Sequence, residues 1–290
     1  MPSLPPIPAP LKKLFNTFPL TTYGSNLPPQ RSIAAFGSDP LLFTWLDPAS
    51  DTTSPTTTPS PTAPIISPAA ERSDPGRIFD PRCLAVALLL RALGTDVRIV
   101  GANAHASAEG LPLLINGAAG AGMGEKDLPR GTVGREGLEK WARGLEGGEK
   151  EKGDDKEDEG IRALVEGPVR RLWLYTMFLD GNGRRKVGGR YFPLLKQEAV
   201  EELTLSTPVI DGPGILAEGK QALQAIDAWI LGQAEWEERN FLQVTVEAYA
   251  SLLLKGGGEG GKMVEHLEGL RRLVARVEVL RAEYGGKDGR

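Results

Sequence analysis

The chain is short of most residues that reactive chemistry uses. Its 290 residues include one cysteine and two histidines. A single cysteine excludes an intramolecular disulfide and fits a reducing compartment, or a face that sees one. Even with both histidines it leaves too few ligands for a Cys/His zinc site, so neither a metal nor a cofactor is expected. Aromatic residues make up only 6% of the chain. Basic charge is not in excess: the net charge is −4 and the sequence pI about 5.5. That excludes a nucleic-acid binder relying on a general basic field. Long hydrophobic runs are missing too. The longest, Leu84–Leu90, falls far below the ~20 residues that span a bilayer. The proline-rich start carries only Lys12 and Lys13 and lacks both a signal-peptide core and the Arg-rich pattern of a transit peptide. The other end is glycine and charge, with no tail anchor. Any membrane location is therefore expected to be peripheral. What the chain does have is 40% hydrophobic residues, enough for a core in one large domain or two small ones.

The best-organised stretch is Phe79–Asn116. Asp80 suits an N-cap, accepting from free N–H groups of a first turn, and Pro81 suits N1, where no donor is needed. Leu84, Leu88 and Ala92 share a face, and Ala85, Val86, Leu89, Leu90 and Leu93 add apolar cover around it. Only Arg82 and Arg91 are charged, so this helix is expected to be buried on most sides. Gly94 suits a C′ position. A short β-branched strand follows over Asp96–Val100, then a polar loop, then Leu111-Pro112 directly before a second apolar strand. Helix, strand, loop, X-Pro, strand is the central piece of a thioredoxin-like half-domain, and Pro112 is its candidate cis residue.

Residues 1–40 form a Pro-rich arm. Its Leu11, Leu14, Phe15, Phe18 and Leu20 concentrate apolar area that must pack on its own domain or on a partner. Residues 41–145 are assigned to the thioredoxin-like domain, with Leu41–Leu46 as first strand. A Pro/Thr/Ser tract at 47–78 is too poor in apolar residues to order itself and is expected to be a disordered insertion. Gly134–Gly144 reads as a short helix. Residues 146–160, rich in Glu, Lys, Asp and Gly, are expected to be a charged, disordered linker. From 161 to 284 the pattern is helical. Gly167-Pro168 is expected to start a helix carrying Val169, Leu172, Trp173, Thr176 and Leu179. Leu194–Leu205 is a weaker one. Pro213 opens a third, with Ile215, Gly219, Ala222, Leu223, Ile226, Trp229 and Ile230 as one stripe. Asn240 can cap a fourth, whose sparse polar surface places it at the centre. Lys262–Glu283 is amphipathic and packs on the bundle. The fold class is thus α/β plus all-α: a thioredoxin-like N-terminal domain followed by a helical bundle of glutathione-transferase type.

Each candidate for chemistry has a plainer reading beside it. Cys83 falls in the first turn of the first helix, where thiol-dependent transferases place their cysteine. A helix N-terminus lowers a thiol pKa, but Asp80 opposes that, and no Cys-x-x-Cys is present. A buried, unreactive thiol is the favoured reading. His105 lies in the polar loop near Pro112 without an acid or nucleophile nearby in sequence, which favours a structural hydrogen bond over catalysis. Gly117–Gly124 lacks the strand and helix context of a phosphate cradle and reads as a turn. Arg184, Arg185, Lys186 and Arg190 form a basic loop, either solvated or facing an acidic partner or lipid headgroups. A glutathione enzyme needs an acid-Ser pair for the γ-glutamyl group, and none stands between Asn116 and Trp141. No catalytic residue is assigned.

Three ordered motifs carry a resemblance. Asn16-Thr17-Phe18-Pro19-Leu20-Thr21-Thr22-Tyr23 is similar to the "TFPLxTY" start of fungal metaxin-like proteins. Phe79-Asp80-Pro81-Arg82-Cys83-Leu84 looks like their helix entry. Asn103-Ala104-His105-Ala106-Ser107 with Gly110-Leu111-Pro112 resembles their "NNHASPxGxLPxL" loop. The departures are Ala104 for the second Asn, Ala108 for a Pro, and Gln243 where a helix usually has an Asp near its start. The likeness is to the smaller, peripheral metaxin-like subunit of the mitochondrial outer-membrane sorting and assembly machinery. It implies a non-enzymatic protein on the cytosolic face of that membrane. The implied partners are the barrel-forming subunit, a second metaxin-like subunit and the C-terminal β-signal of β-barrel precursors. Phe15, Phe18, Pro19, Leu20, Tyr23, Arg184, Arg185 and Arg190 are the candidate partner-binding residues. Asp80, Pro81, Cys83, Asn103, His105 and Pro112 are the structural-motif residues. The alternative is a glutathione-dependent or thiol transferase using Cys83.

Overall fold

The computed structural model describes residues 40–46, 78–95, 97–102, 110–116, 128–129, 131–145, 154–180, 192–205, 209–232, 240–256 and 270–284. β1 (Leu41–Thr44) is buried along its whole length, as expected for a central strand between two layers. It pairs in parallel with β2 (Arg98–Gly101) and antiparallel with β3 (Leu113–Asn116), and β3 pairs antiparallel with β4 (Gly131–Val133), giving the order β2-β1-β3-β4. Leu42 sits opposite both Ile99 and Leu114, so one apolar row crosses the sheet.

α1 (Pro81–Ala92) begins and ends as its residues dictate. The Asp80 carboxylate accepts from the Cys83 N–H at 2.9 Å, and Pro81 follows at N1. At the other end Gly94 takes φ +71°. Its N–H donates to the Arg91 carbonyl, and the Thr95 N–H donates to the Leu90 carbonyl, both at 2.9 Å. That is the paired closure of a Schellman end, which needs a residue without a Cβ penalty at this point. Every residue from Cys83 to Leu90 is buried. The second strand is Arg98–Gly101 rather than Asp96–Val100.

The two ends of the Pro/Thr/Ser tract meet. Leu46 and Ile78 form a bridge, and the Phe79 N–H donates to the Trp45 carbonyl at 2.8 Å. Ile78 is itself buried, so it belongs to the core, not to the insertion as read from sequence. Pinned ends make the insertion's length of little consequence, because closure entropy grows only logarithmically with loop length.

Two further expectations are corrected. α2 (Arg135–Leu145) lies where a short helix was anticipated, but α3 (Asp154–Leu164) begins inside the stretch read as a structureless linker. Asp154, Asp155, Glu157 and Asp158 favour a helix N-terminus, where the backbone N–H groups present partial positive charge. Ile161 then anchors the far turn in the core. Nor does Gly167-Pro168 start a helix. The backbone runs from α3 through a π segment, Val165–Val169, into α4 (Arg170–Phe178). The wider turn absorbs Pro168, which has no N–H to give.

The helical half continues with α5 (Phe192–Thr204), α6 (Gly212–Gly232), α7 (Phe241–Gly256) and α8 (Arg271–Tyr284). Asp211 opens α6 by accepting from the Gly214 N–H at 3.1 Å, and the anticipated stripe from Ile215 to Ile230 is buried. α7 is the central helix. Val244, Ala248 and Leu253 are completely enclosed, and it is the element against which α1 packs most. Asn240 caps it: the Gln243 N–H donates to Asn240 Oδ1 at 2.8 Å, and the Asn240 N–H donates to Gln243 Oε1 at 3.1 Å. The exchange is a reciprocal capping box, with Gln243 returning to the Asn240 N–H the bond that Asn240 gives it. Met263 and Leu267, read as part of the last helix, lie outside the described residues.

α8 is capped by a different helix. Asp227 of α6 accepts from the Leu273 N–H at 2.9 Å, the Arg272 N–H at 3.1 Å and the Arg272 guanidinium at 3.2 Å. Asp227→Ala is expected to cost about 2 kcal/mol. In hydrogen exchange the loss should appear as early deprotection of Arg271–Tyr284 ahead of the other helices; uniform deprotection would show that the carboxylate is not a local clamp.

Candidate functional site

The sheet and the bundle meet along α1 and α7, and the candidate site lies on that seam. Leu111-Pro112 is cis, as the sequence indicates, and it delivers Pro112 to the same seam. Of the structural-motif residues, Asp80, Pro81 and Cys83 open α1, and Pro112 shares a notch with Arg82, Ala85 and Val86 of that helix. Asn103 and His105 lie outside the described residues. So do all eight candidate partner-binding residues: Phe15, Phe18, Pro19, Leu20, Tyr23, Arg184, Arg185 and Arg190.

Cys83 has no solvent-accessible surface. Burial pushes its thiol well above the ordinary range. The Asp80 carboxylate pushes the same way, and a backbone hydrogen bond from Trp45 only partly opposes them. A protonated, enclosed thiol is neither a nucleophile nor a redox partner. An exposed-thiol reagent should label the native chain at least ~100-fold more slowly than the denatured chain. Comparable rates in the two states would contradict the enclosure.

Around the seam lies a charge network that sequence reasoning did not find. Arg170, at the start of α4, forms a two-pronged ion pair with Glu202 of α5. Nε and Nη2 both donate to the carboxylate, the latter at 2.7 Å. Arg170 Nη1 also donates to the Tyr249 hydroxyl on α7 at 3.4 Å. Burial acts against the guanidinium's charge, but Glu202 outweighs it, so Arg170 is held firmly protonated. The Tyr249 hydroxyl is pushed up by burial, with Arg170 and Arg82 pulling it back in part.

Tyr249 forms part of the wall of a notch of about 30 Å³ between α1, Pro112, α2, the π segment and the first turns of α7. Its apolar wall includes Val86, Phe241 and Leu242. Its charged lining is Arg82, Arg143 and Arg162 with Glu139 and Glu166. Arg143 and Glu166 pair at 3.3 Å, both substantially exposed, so that pair fixes the rim without adding much stability. The enclosed part of the notch has room for about two waters. Beside it, Phe79 packs edge-on to Phe178 and tilted against Trp173, with ring centroids at 6.2 and 5.9 Å. This aromatic group joins the α/β half to the bundle.

No known family profile matches the chain, and no curated protein does. Solved structures do. A glutathione transferase from Phanerochaete chrysosporium, GSTFuA3, superposes with a TM-score of 0.55 at 10% identity, over 87% of this chain and 99% of that one. Glutathione S-transferase III in its apo form gives 0.43 at 11% identity, over 84% of this chain and 92% of its own. The first likeness, together with the sheet order, the cis proline and the helical second half, establishes the architecture: this chain has the glutathione-transferase fold.

Proposed function

We propose that the chain is a non-enzymatic member of the mitochondrial outer-membrane sorting and assembly machinery. In this reading it sits on the cytosolic face, binds the barrel-forming subunit and a second metaxin-like subunit, and receives the β-signal of β-barrel precursors. The observation that carries the reading is the state of Cys83: the one thiol lies where a transferase would keep its reactive group, and it is sealed and protonated. The three resembling motifs supply the choice of complex. A β-signal is an extended amphipathic strand, which binds a folded partner by its backbone and alternate side chains.

The test is purification of the tagged chain from solubilised mitochondrial outer membranes. The expected result is stoichiometric recovery of a β-barrel protein. Deletion of Leu11–Tyr23 should weaken that recovery while leaving the helical content intact. Recovery of the chain alone under mild detergent would contradict the proposal. Unchanged recovery after the deletion would remove the arm as the docking element. The fold also suits a glutathione-dependent transferase, and glutathione-dependent turnover is the finding that would favour it.

A further inference from the structure

Among the described residues, Arg82 and Tyr249 bring two strong hydrogen-bond donors to the notch beside Pro112. Arg143 and Arg162 have partners, but Arg82 forms no ion pair among the described residues. Tyr249 is 2% exposed. Its oxygen accepts from Arg170, so its hydroxyl proton remains to be donated, and among the described residues no acceptor takes it. Both groups line the notch.

From this we infer that the notch is a carboxylate site, in which Arg82 and the Tyr249 hydroxyl grip the carboxyl end of an extended peptide or a small free carboxylic acid. The size fits, since about 30 Å³ holds about two waters, the room a carboxylate's two oxygens need. Charge selects among anions. Among the described residues three arginines and two glutamates line it, a balance that suits one negative charge. Glu139 and Glu166 repel a doubly charged phosphate more than a singly charged carboxylate. The apolar wall of Val86, Phe241 and Leu242 lowers the local dielectric, and a charge-assisted hydrogen bond strengthens as it falls. The site does not depend on the assembly-machinery reading and stands or falls apart from it.

The full chain should be titrated, by fluorescence anisotropy, with a dye-labelled extended peptide of about eight residues ending in a free carboxyl. The same peptide ending in an amide is the control. The free acid is expected to bind at least ~10-fold tighter, and Arg82→Gln and Tyr249→Phe should each reduce that preference to within ~2-fold. Both variants must keep wild-type circular dichroism and an unlabelled Cys83. Phe is close in volume to Tyr, so Tyr249→Phe keeps the test meaningful if Arg82→Gln disturbs α1. Acetate separates the sources. An acetate-dependent shift of the Arg82 Nε–H resonance without an acid preference assigns the site to small carboxylic acids. An acid preference that survives excess acetate assigns it to a peptide end. Equal affinity for acid and amide with no acetate effect overturns the site, as does a preference that survives both substitutions.

Discussion

Trp173→Ala is expected to remove about 3–5 kcal/mol of stability. Trp173 is 1% exposed and touches Phe79 and Phe178, the latter edge-on at 87° with centroids 5.9 Å apart. Phe79 in turn meets Trp45 at 5.8 Å. The indole therefore stands in the middle of a group that starts at the end of β1 and finishes in the bundle. Its removal opens a cavity at the junction of the halves, where neither a strand nor a helix can collapse without leaving its own partners. Urea unfolding followed by two probes, one in the sheet and one in α7, should lose its coincidence as well as its midpoint. Trp173→Phe gives the contrast. The indole Nε1 is buried without a hydrogen-bond partner among the described residues, so losing it sacrifices no bond. The cost of the smaller ring should stay below about 2 kcal/mol. A loss of under 1 kcal/mol for the alanine variant would show that the aromatic group does not couple the halves.

Glu202→Ala should be nearly as damaging, at about 3 kcal/mol, for an electrostatic reason. The Arg170 side chain is 12% exposed and its partner 38% exposed. Truncating the glutamate leaves a mostly buried guanidinium with only the Tyr249 oxygen as a hydrogen-bond partner among the described residues. Breaking a buried pair on one side leaves an uncompensated charge, whereas replacing both members by apolar groups does not. The double variant Arg170→Met, Glu202→Leu is therefore expected to lie within about 1 kcal/mol of the parent. Thermal unfolding of the single and double variants measures this directly. A double variant much less stable than the parent would show that the pair contributes net stability of its own.

What was legible in the sequence was what short spans of chain decide. Asp80, Pro81 and Gly94 specify both ends of α1 from within a few residues. Leu111-Pro112 signals a cis bond by its place before an apolar strand, and the scarcity of polar residues in Phe241–Leu253 places α7 at the centre. Features that depend on distant partners were not legible. β4 is three residues long and becomes a strand only because β3 lies alongside; Thr132 and Val133 between two glycines were its only local trace. The first turns of α3 look like a solvated charge run until Ile161 and Val165 are seen in the core. Pro168 reads as a helix start because a π segment carries no sequence signature of its own. The Arg170 network joins residues 32 and 79 positions apart. No short span of sequence carries a trace of it.

The glutathione-transferase fold is present here with its one cysteine sealed, and the proposed function requires that it carry no conjugating activity. The most direct measurement is the rate of glutathione conjugation to 1-chloro-2,4-dinitrobenzene by the purified chain, beside its Cys83→Ser variant. Both are predicted to stay at the uncatalysed background at every glutathione concentration. Saturable turnover above background, abolished in the variant, would contradict it.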